Sequence, residues 1–160
     1  MSQIVTGEKF LKNSKFGVVT AKFNSEVTDK LEAGALATLK EFGCGPSNIV
    51  AVRVPGAFEI PLAVQALLSS GCDAVIALGA VIRGETSHYD FVCNAVERGC
   101  SELQLKYHKP VAFGVLTTDT DEQAMDRSGG KHGNKGSEAA QVAIEMVSLL
   151  RQIGMDRVQK

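Results

Sequence analysis

The sequence predicts an α/β fold, a three-layer α/β/α sandwich around a four-stranded parallel sheet. Segments with an apolar residue at every third or fourth position, as in amphipathic helices, alternate with strand-like runs. Alternation of strand and helix favours right-handed βαβ units and hence parallel pairing. The predicted strands are apolar almost throughout, as expected for strands covered on both faces. They span residues 15–23, 48–54, 73–82 and 110–118.

Length and composition fit a single domain over residues 1–160, in which residues 1–13 form an N-terminal arm. The chain has 160 residues and is 44% hydrophobic, which suits one substantial core. Its 17 Lys and Arg nearly balance its 18 Asp and Glu, so no basic excess suggests nucleic acid binding. No apolar run reaches the roughly 18 residues of a membrane span, and the first residues lack an export signal. We therefore expect a cytoplasmic protein that binds neither nucleic acid nor membrane.

Capping signals predict where the helices begin. Asn24 or Ser25 is expected to cap the first helix, and Ser137 with Glu138 to begin the last. Pro61 suits an early turn of the helix after the second strand. The residues expected on buried helix faces are Val27, Leu31, Ala35, Leu39 and Phe42, then Val92, Val96, Gly99 and Leu103, and finally Val142, Met146, Leu149 and Ile153.

The segment IVTGEKF, residues 4–10, has weak strand character but no obvious partner strand within the chain. An unpaired strand exposes a row of backbone hydrogen-bonding groups. We expect this segment to join the sheet of a neighbouring subunit.

Cysteine and histidine patterns give no metal site. The spacing of the four cysteines is too wide for a CxxC knuckle, so they are expected to be reduced packing residues. His108 and His132 lack partners at metal-ligand spacing and are interpreted as surface residues. The cysteines are Cys44, Cys72, Cys93 and Cys100.

Aromatic and charged residues collect near the ends of the predicted strands, where loops of a parallel sheet converge and ligands bind. Phe23 follows the first strand, Phe58 and Glu59 follow the second, and Phe113 and Arg127 lie in and after the fourth. A cleft lined by the three phenylalanines would hold a flat heterocycle by stacking, with Glu59 fixing its orientation. The alternative is burial in the core, the usual fate of phenylalanine.

His88 ends the polar loop RGETSH, residues 83–88, directly after the third strand. If a helix begins near Thr86 or Ser87, either hydroxyl can cap it, and the free amides of its first turn suit a phosphate. The positive helix end disfavours an imidazolium, so we expect a neutral His88 that accepts and returns a proton. The alternative is a surface histidine hydrogen-bonded to a nearby carboxylate such as Asp90.

The sequence argues against three familiar motifs: a hydrolytic triad, a P-loop and a dinucleotide-binding fingerprint. Ser87, His88 and Asp90 are too close in sequence to align as a hydrolytic triad, and no GxSxG elbow is present. In GGKHGNKGS, residues 129–137, a glycine follows Lys135, so the segment is a tight turn before the last helix and not a P-loop. No GxGxxG follows the first strand, which argues against a dinucleotide site.

Five segments resemble the 6,7-dimethyl-8-ribityllumazine synthase family in order and spacing. Together they cover nearly the whole chain. The resemblance implies a flavodoxin-like fold and the condensation of 5-amino-6-(D-ribitylamino)uracil with 3,4-dihydroxy-2-butanone 4-phosphate, without a cofactor, in riboflavin biosynthesis. The segments are KFN (22–24), VPGAFEIP (54–61), ALGAVIRGETSHYDFVCN (77–94), FGVLTTDTDEQAMDRSGGKHGNKG (113–136) and EAA…AIEM (138–146).

The resemblance also implies roles for residues that match the family's motifs. His88 matches the proton-transfer residue, and Glu85 and Thr86 match positions that bind phosphate through their amides. Lys135 matches a further polar contact. The positions that match contacts to the pyrimidine, the ribityl chain and the ring edge are Phe23, Ala57, Phe58, Glu59, Ala80, Val81 and Ile82.

A site shared between subunits is the last implication of the resemblance. In the family, the aromatic that matches Phe113 closes the pocket of the adjacent subunit, and the cation that matches Arg127 clamps the phosphate. The family forms pentamers, and the uninterrupted stretch 127–137 favours their assembly into an icosahedral capsid, with riboflavin synthase as a candidate cargo. Two alternatives remain open: a non-catalytic flavin or lumazine carrier, which would not need His88 or Arg127, and a structural shell protein.

Overall fold

The computed structural model describes residues 2–8 and 13–154 and contains a four-stranded sheet in the order β2-β1-β3-β4. All neighbouring strands in this sheet are parallel. The order is that of the flavodoxin-like fold. The predicted strands are thus confirmed, with ends that differ by at most two residues from those observed. The strands are β1 (Phe16–Ala21), β2 (Ile49–Val54), β3 (Ala74–Ile82) and β4 (Val111–Thr118).

Helices cover both faces of the sheet, which confirms the three-layer prediction. Successive residues of a strand point to opposite faces, so β3 supplies Val75 to one core and Ile76 to the other. Helices α1 and α5 pack on the face of Ile76, and α2 and α3 pack on the face of Val75. The helices are α1 (Ser25–Glu41), α2 (Ile60–Ser69), α3 (His88–Tyr107) and α5 (Lys135–Ile153), with the short α4 (Asp121–Asp126) before α5.

The glycine-rich segment forms a hairpin, as the tight-turn prediction required. Strands β5 (Ser128–Gly130) and β6 (Gly133–Asn134) pair antiparallel and lead directly into α5. Gly129 and Gly133 have φ values of 117° and 74°, a conformation that glycine adopts without steric cost.

The start of α5 lies two residues before the predicted one. Asn134 caps this helix, since its side-chain oxygen accepts hydrogen bonds from the amides of Gly136 at 2.9 Å and Ser137 at 3.1 Å. The prediction that Ser137 and Glu138 begin the helix was therefore wrong. Asparagine is as good a cap as serine, and the asparagine comes first in the chain.

Glycine also lets α5 lie directly against α1. A side chain at Gly136 would overlap the backbone of Leu31, and a side chain at Gly34 would meet the side chain of Asn134. This close approach leaves room only for small residues at the contact. Most of the buried face of α5 consists of such residues: Gly136, Ala139, Ala140 and Ala143.

The predicted buried face of α5 was consequently wrong. Val142 and Ile153 are 51% and 57% exposed, and Met146 and Leu149 are half-buried. Val142 and Ile153 therefore point away from the core, whereas Ile144 and Val147 are the larger apolar residues that this helix buries. For α1, in contrast, Val27, Leu31, Ala35 and Leu39 are buried as predicted.

Two of the cysteines, Cys72 and Cys100, are buried in the core beneath α2 and α3, which confirms their packing role. Burial raises the pKa of the Cys100 thiol to about 12. Cys44 and Cys93 are half-buried, and all four thiols are free.

Residues 4–8 lie along α5 of the same chain and form no strand. The Glu8 amide donates to Ser148 Oγ at 2.8 Å, and Gln152 Nε2 donates to the Thr6 carbonyl at 2.9 Å. The last two residues of the predicted strand, 9–10, lie outside the described residues. Addition of this segment to a neighbour's sheet stays a prediction.

Within residues 2–8 and 13–154, no helix is both long enough and apolar enough to cross a membrane.

Replacing Gly136 with alanine is expected to lower the free energy of unfolding by about 3 kcal/mol, because the new methyl group overlaps the backbone of Leu31. Gly45→Ala is the matched control, since Gly45 has a φ of −74° and open space around it. Urea denaturation of both variants measures the difference. Equal midpoints would contradict the close contact between α1 and α5.

Candidate active site

A cavity of about 650 Å³ opens at the carboxyl edge of the sheet, where the loops after β1, β2 and β3 meet the first turn of α3. It lies at the point where the strand order reverses between β1 and β3, the usual ligand position in open α/β sheets. Nine of the thirteen predicted site residues line it: Phe23, Ala57, Phe58, Glu59, Ala80, Val81, Ile82, Thr86 and His88.

Phe23 and Phe58 present aromatic surface to this cavity. Their side chains are 70% and 62% exposed, so the core alternative was wrong for both residues. The Phe23 amide donates to the Pro55 carbonyl at 3.1 Å, which joins the loops after β1 and β2. The cavity therefore has two aromatic side chains on connected loops, a suitable arrangement for stacking on a flat ligand.

Asn24 ties the loop after β1 to the end of β3. Its side-chain amide donates to the Ala80 carbonyl at 2.8 Å, and its backbone is left-handed, with a φ of 61°. The prediction that Asn24 or Ser25 caps α1 is confirmed for the N-cap position, although no side-chain capping bond is made. Asn24 holds this position, but its side chain is used in the bond to the sheet.

Glu59 lies at the end of a 3₁₀ turn, Ala57–Glu59, that leads into α2. Its carboxylate accepts a hydrogen bond from the Gly56 amide at 3.0 Å, which holds it at the rim of the cavity. Pro61 lies in the first turn of α2, as predicted. A side chain at Gly99 would overlap the Pro61 ring, so glycine there lets α3 approach this turn.

Helix α3 begins at His88 with little help from side-chain caps. Ser87 holds the N-cap position but makes no capping bond, because its backbone is helical and not extended. The expected cap is reduced to a long bond, 3.4 Å, from the His88 amide to Thr86 Oγ1. Within the described part of the chain, the amides of residues 84–87 have no acceptor. Free amides next to a helix N-terminus form a site that favours anions.

The His88 side chain is exposed at the cavity, and its imidazole has no hydrogen-bond partner among residues 2–8 and 13–154. Asp90, the partner in the alternative interpretation, instead faces Arg83, with Nη1 and Oδ1 3.7 Å apart. The predicted alternative of a His88–Asp90 bond is thus wrong. An imidazole without a protein partner is available to a ligand.

Four predicted site residues do not line the cavity of this chain. Glu85 lies in the loop before α3, but its side chain is exposed outside the cavity. Lys135 begins α5 and pairs with Glu138. Arg127 follows α4, and its Nη1 donates to the Gln123 carbonyl at 3.0 Å.

Phe113 is the fourth of these residues. It is the third residue of β4, opposite Ala77, so its predicted position at a strand end was wrong. Because β4 is an edge strand, the Phe113 side chain remains 40% exposed. Phe113 therefore lies outside the cavity of its own chain.

Sequence reasoning missed several lining residues, among them Tyr89 and Val92. Val92 was assigned to the core face of its helix, although His88 and Val92 share a face because they are four residues apart. The aromatic Tyr89 directly after His88 was the available signal. Four further lining residues belong to the strand-end segments in which the site was expected but were given no role of their own: Asn24, Pro55, Gly56 and Gly84.

Fold and site together define a class of protein: a flavodoxin-like α/β protein with a cleft for a flat ligand and an adjoining anion site. Sequence comparisons agree with this class. The family model described as 6,7-dimethyl-8-ribityllumazine synthase matches residues 13–151. The chain therefore belongs to the lumazine synthase family, which confirms the resemblance.

Two relatives carry the name 6,7-dimethyl-8-ribityllumazine synthase. The protein from Bdellovibrio bacteriovorus is 59% identical over 139 residues, which cover 87% of this chain and 76% of the relative. The protein from Cytophaga hutchinsonii is 53% identical over 139 residues, which cover 86% of this chain and 87% of the relative.

Asn24→Ala is expected to lower the free energy of unfolding by about 1 kcal/mol more than Asn24→Gly, because alanine carries the steric cost of the left-handed backbone. Both variants lose the hydrogen bond to Ala80, so that loss cancels in the comparison. Urea denaturation of the pair measures the difference. Equal stability would show that this backbone conformation relaxes in the variants.

Proposed function

We propose that the cavity at the sheet edge is the substrate site of this lumazine synthase and that His88 moves protons in it. The enzyme is a transferase that condenses 5-amino-6-(D-ribitylamino)uracil with 3,4-dihydroxy-2-butanone 4-phosphate, releasing phosphate and water in the penultimate step of riboflavin biosynthesis. One observation carries the assignment of the site. A single cavity combines aromatic faces, a carboxylate and an unpartnered imidazole beside free amides.

The aromatic end of the cavity is the proposed site of the ribitylaminouracil. Phe23 stacks on the pyrimidine, and the Glu59 carboxylate accepts hydrogen bonds from the ribityl chain. This assignment is supported by the exposure of Phe23 and by the fixed position of the carboxylate. The remaining contacts are Ala57 and Phe58 along the ribityl chain, and Ala80, Val81 and Ile82 at the ring edge.

The loop before α3 is the proposed site of the phosphate. The free amides of residues 84–87 point to anion binding, and the Thr86 hydroxyl lies beside them at the cavity. Glu85 takes part through its backbone amide, because its carboxylate would repel the phosphate. The family's phosphate-clamping cation corresponds to Arg127, whose planar guanidinium suits a bidentate contact with phosphate oxygens.

The reaction requires the protein mainly to orient two substrates and to transfer protons. The amine adds to the carbonyl and loses water to form an imine, phosphate leaves, the enol tautomerises, and ring closure with loss of a second water completes the bicycle. Each of these steps moves a proton or expels phosphate. His88 serves all of them as acceptor and donor, since it lies beside the anion site with no protein partner to compete.

The proposed active unit is an oligomer, which the family also implies. Phe113 closes the pocket of an adjacent subunit, Arg127 clamps its phosphate, and Lys135 adds a polar contact. The half-exposed Phe113 on the edge strand supports this arrangement, because it presents an aromatic side chain to a neighbour.

Pentamers that assemble into an icosahedral capsid are the proposed form, with riboflavin synthase as cargo. The uninterrupted path from α4 through the hairpin into α5 supports the capsid. The arm of residues 1–13 then adds a strand to a neighbour's sheet. We place the reaction in the cytoplasm, where thiols such as Cys72 stay reduced.

Incubating the purified protein with both substrates and following lumazine fluorescence tests the enzyme assignment. We expect formation well above the uncatalysed rate. Formation no faster than that background would favour the carrier or the shell protein instead.

Arg127→Ala is expected to raise the half-saturating concentration of the butanone phosphate, because it removes a charge-assisted contact with a value of about 1.5 to 3 kcal/mol. Steady-state kinetics with each substrate varied in turn measure this change. The half-saturating concentration of the uracil substrate is the internal control and should change much less. An unchanged value for the butanone phosphate would show that the guanidinium points elsewhere.

His88→Ala is expected to slow turnover by about tenfold to a hundredfold, a moderate loss because substrate positioning survives. Turnover at saturating substrates gives the loss, and sedimentation gives the particle size, which should not change. Dispersal of the assembly would instead assign His88 a structural role.

A further inference from the structure

We infer that Arg83 is a positioning residue that fixes the first turn of α3 and thereby the place of His88. The inference rests on the proposed proton-transfer role of His88. Arg83 itself does not line the cavity. Its guanidinium connects the end of the sheet to the residues that directly follow the histidine.

Arg83 is held on the sheet side by two hydrogen bonds. It follows β3 directly, and its amide donates to the Thr118 carbonyl at 2.9 Å, which extends the pairing of β3 with β4. Its Nε donates to Asp119 Oδ1 at 2.8 Å. The hydrogen bond to Asp119 also raises the pKa of Arg83, a side chain that is charged at neutral pH in any case.

The other side of the guanidinium faces the start of α3. Its Cζ lies 4.2 Å from the centre of the Tyr89 ring, and its Nη1 lies 3.7 Å from Asp90 Oδ1. The planar guanidinium thus stacks on the Tyr89 ring and faces the carboxylate of the following residue, Asp90. Arginine suits this arrangement because its rigid fork and flat face serve different partners at once.

Apart from Arg83, the first turn of α3 has few side-chain contacts to fix it, chief among them the contact of Tyr89 with Thr117 on β4. Ser87 makes no capping bond, and the bond from the His88 amide to Thr86 is long, at 3.4 Å. The body of the helix is anchored further along, where Val96 and Cys100 enter the core. The position of the imidazole relative to the sheet therefore depends on the contacts of Arg83 with Tyr89 and Asp90, together with the contact of Tyr89 with Thr117.

Two properties of the Arg83 side chain distinguish a positioning role from a role in folding stability or in phosphate binding. The Arg83 side chain is 47% exposed, and ion pairs of such exposure contribute little to stability. Its guanidinium already faces Asp90 and Asp119, and these two carboxylates would oppose an incoming phosphate. Loss of Arg83 should therefore alter geometry next to His88 with little effect on folding or on phosphate affinity.

Steady-state kinetics of Arg83→Gln test this inference directly. We expect kcat to fall about tenfold, because small misplacement of a reacting group is costly, while the half-saturating concentration of the butanone phosphate stays within about twofold. The thermal midpoint should shift by no more than a few degrees. If Arg83→Gln folds poorly, Asp119→Asn is the substitute variant. It weakens the hydrogen bond that holds Arg83 on the sheet side, so it should also lower kcat.

One further variant separates the geometry of the guanidinium from its charge, and a second is a control. Arg83→Lys keeps the charge without the planar fork, so its kcat should stay close to that of Arg83→Gln. Arg53→Gln is the matched control. Arg53 is 50% exposed and pairs with Asp29 and Glu32, and its loss should leave kcat unchanged.

The double variant His88→Ala/Arg83→Gln completes the experiment. Because Arg83 is inferred to act through His88, the double variant should be no slower than His88→Ala alone. The inference is overturned if His88→Ala slows turnover but Arg83→Gln does not, if the two losses multiply, or if lysine restores full activity. A selective rise in the half-saturating concentration of the butanone phosphate would also overturn it. If His88→Ala itself leaves kcat unchanged, the proposed proton-transfer role fails as well.

Discussion

Parallel pairing of β1 with β2 and β3 is the constraint on which the site depends. Because all three strands run in the same direction, their carboxyl ends share one edge, and residues far apart in sequence meet there. The chain then joins the loops to one another, through the Phe23 amide on Pro55 and the Asn24 side chain on Ala80. The cavity is thus a consequence of strand direction, stabilised by a few hydrogen bonds.

Close packing between helices also determines where the walls of this cavity lie. Gly99 lets α3 approach Pro61 at the start of α2, which brings the loop before α3 toward the 3₁₀ turn that holds Glu59. On the other face, Gly136 brings α5 onto α1. One glycine in α3 and one in α5 therefore set how closely these helices pack against their neighbours. The packing of α3 in turn sets the position of the loop before it, which lines the cavity.

Sequence reasoning located most of the fold and of the cavity because both follow from strong local signals. An apolar run identifies a buried strand, and the polar residues after it identify the loop at its carboxyl end. The failures have specific physical causes. Near its start, α5 buries glycine and alanine against α1 and leaves Val142 exposed, which a search for large apolar residues cannot detect. Phe113 was grouped with residues at strand ends although the predicted strand, 110–118, already placed it near the strand's start, and pattern alone does not show that β4 is an edge strand.

A structure of the assembled protein with inorganic phosphate tests the central claim most directly. The account predicts the anion within hydrogen-bond distance of the amides of residues 84–87, with the His88 imidazole and the guanidinium of Arg127 of the partner subunit beside it. An anion bound at another site would contradict the account. So would a neighbouring Arg127 that lies farther from His88 than the length of the substrate.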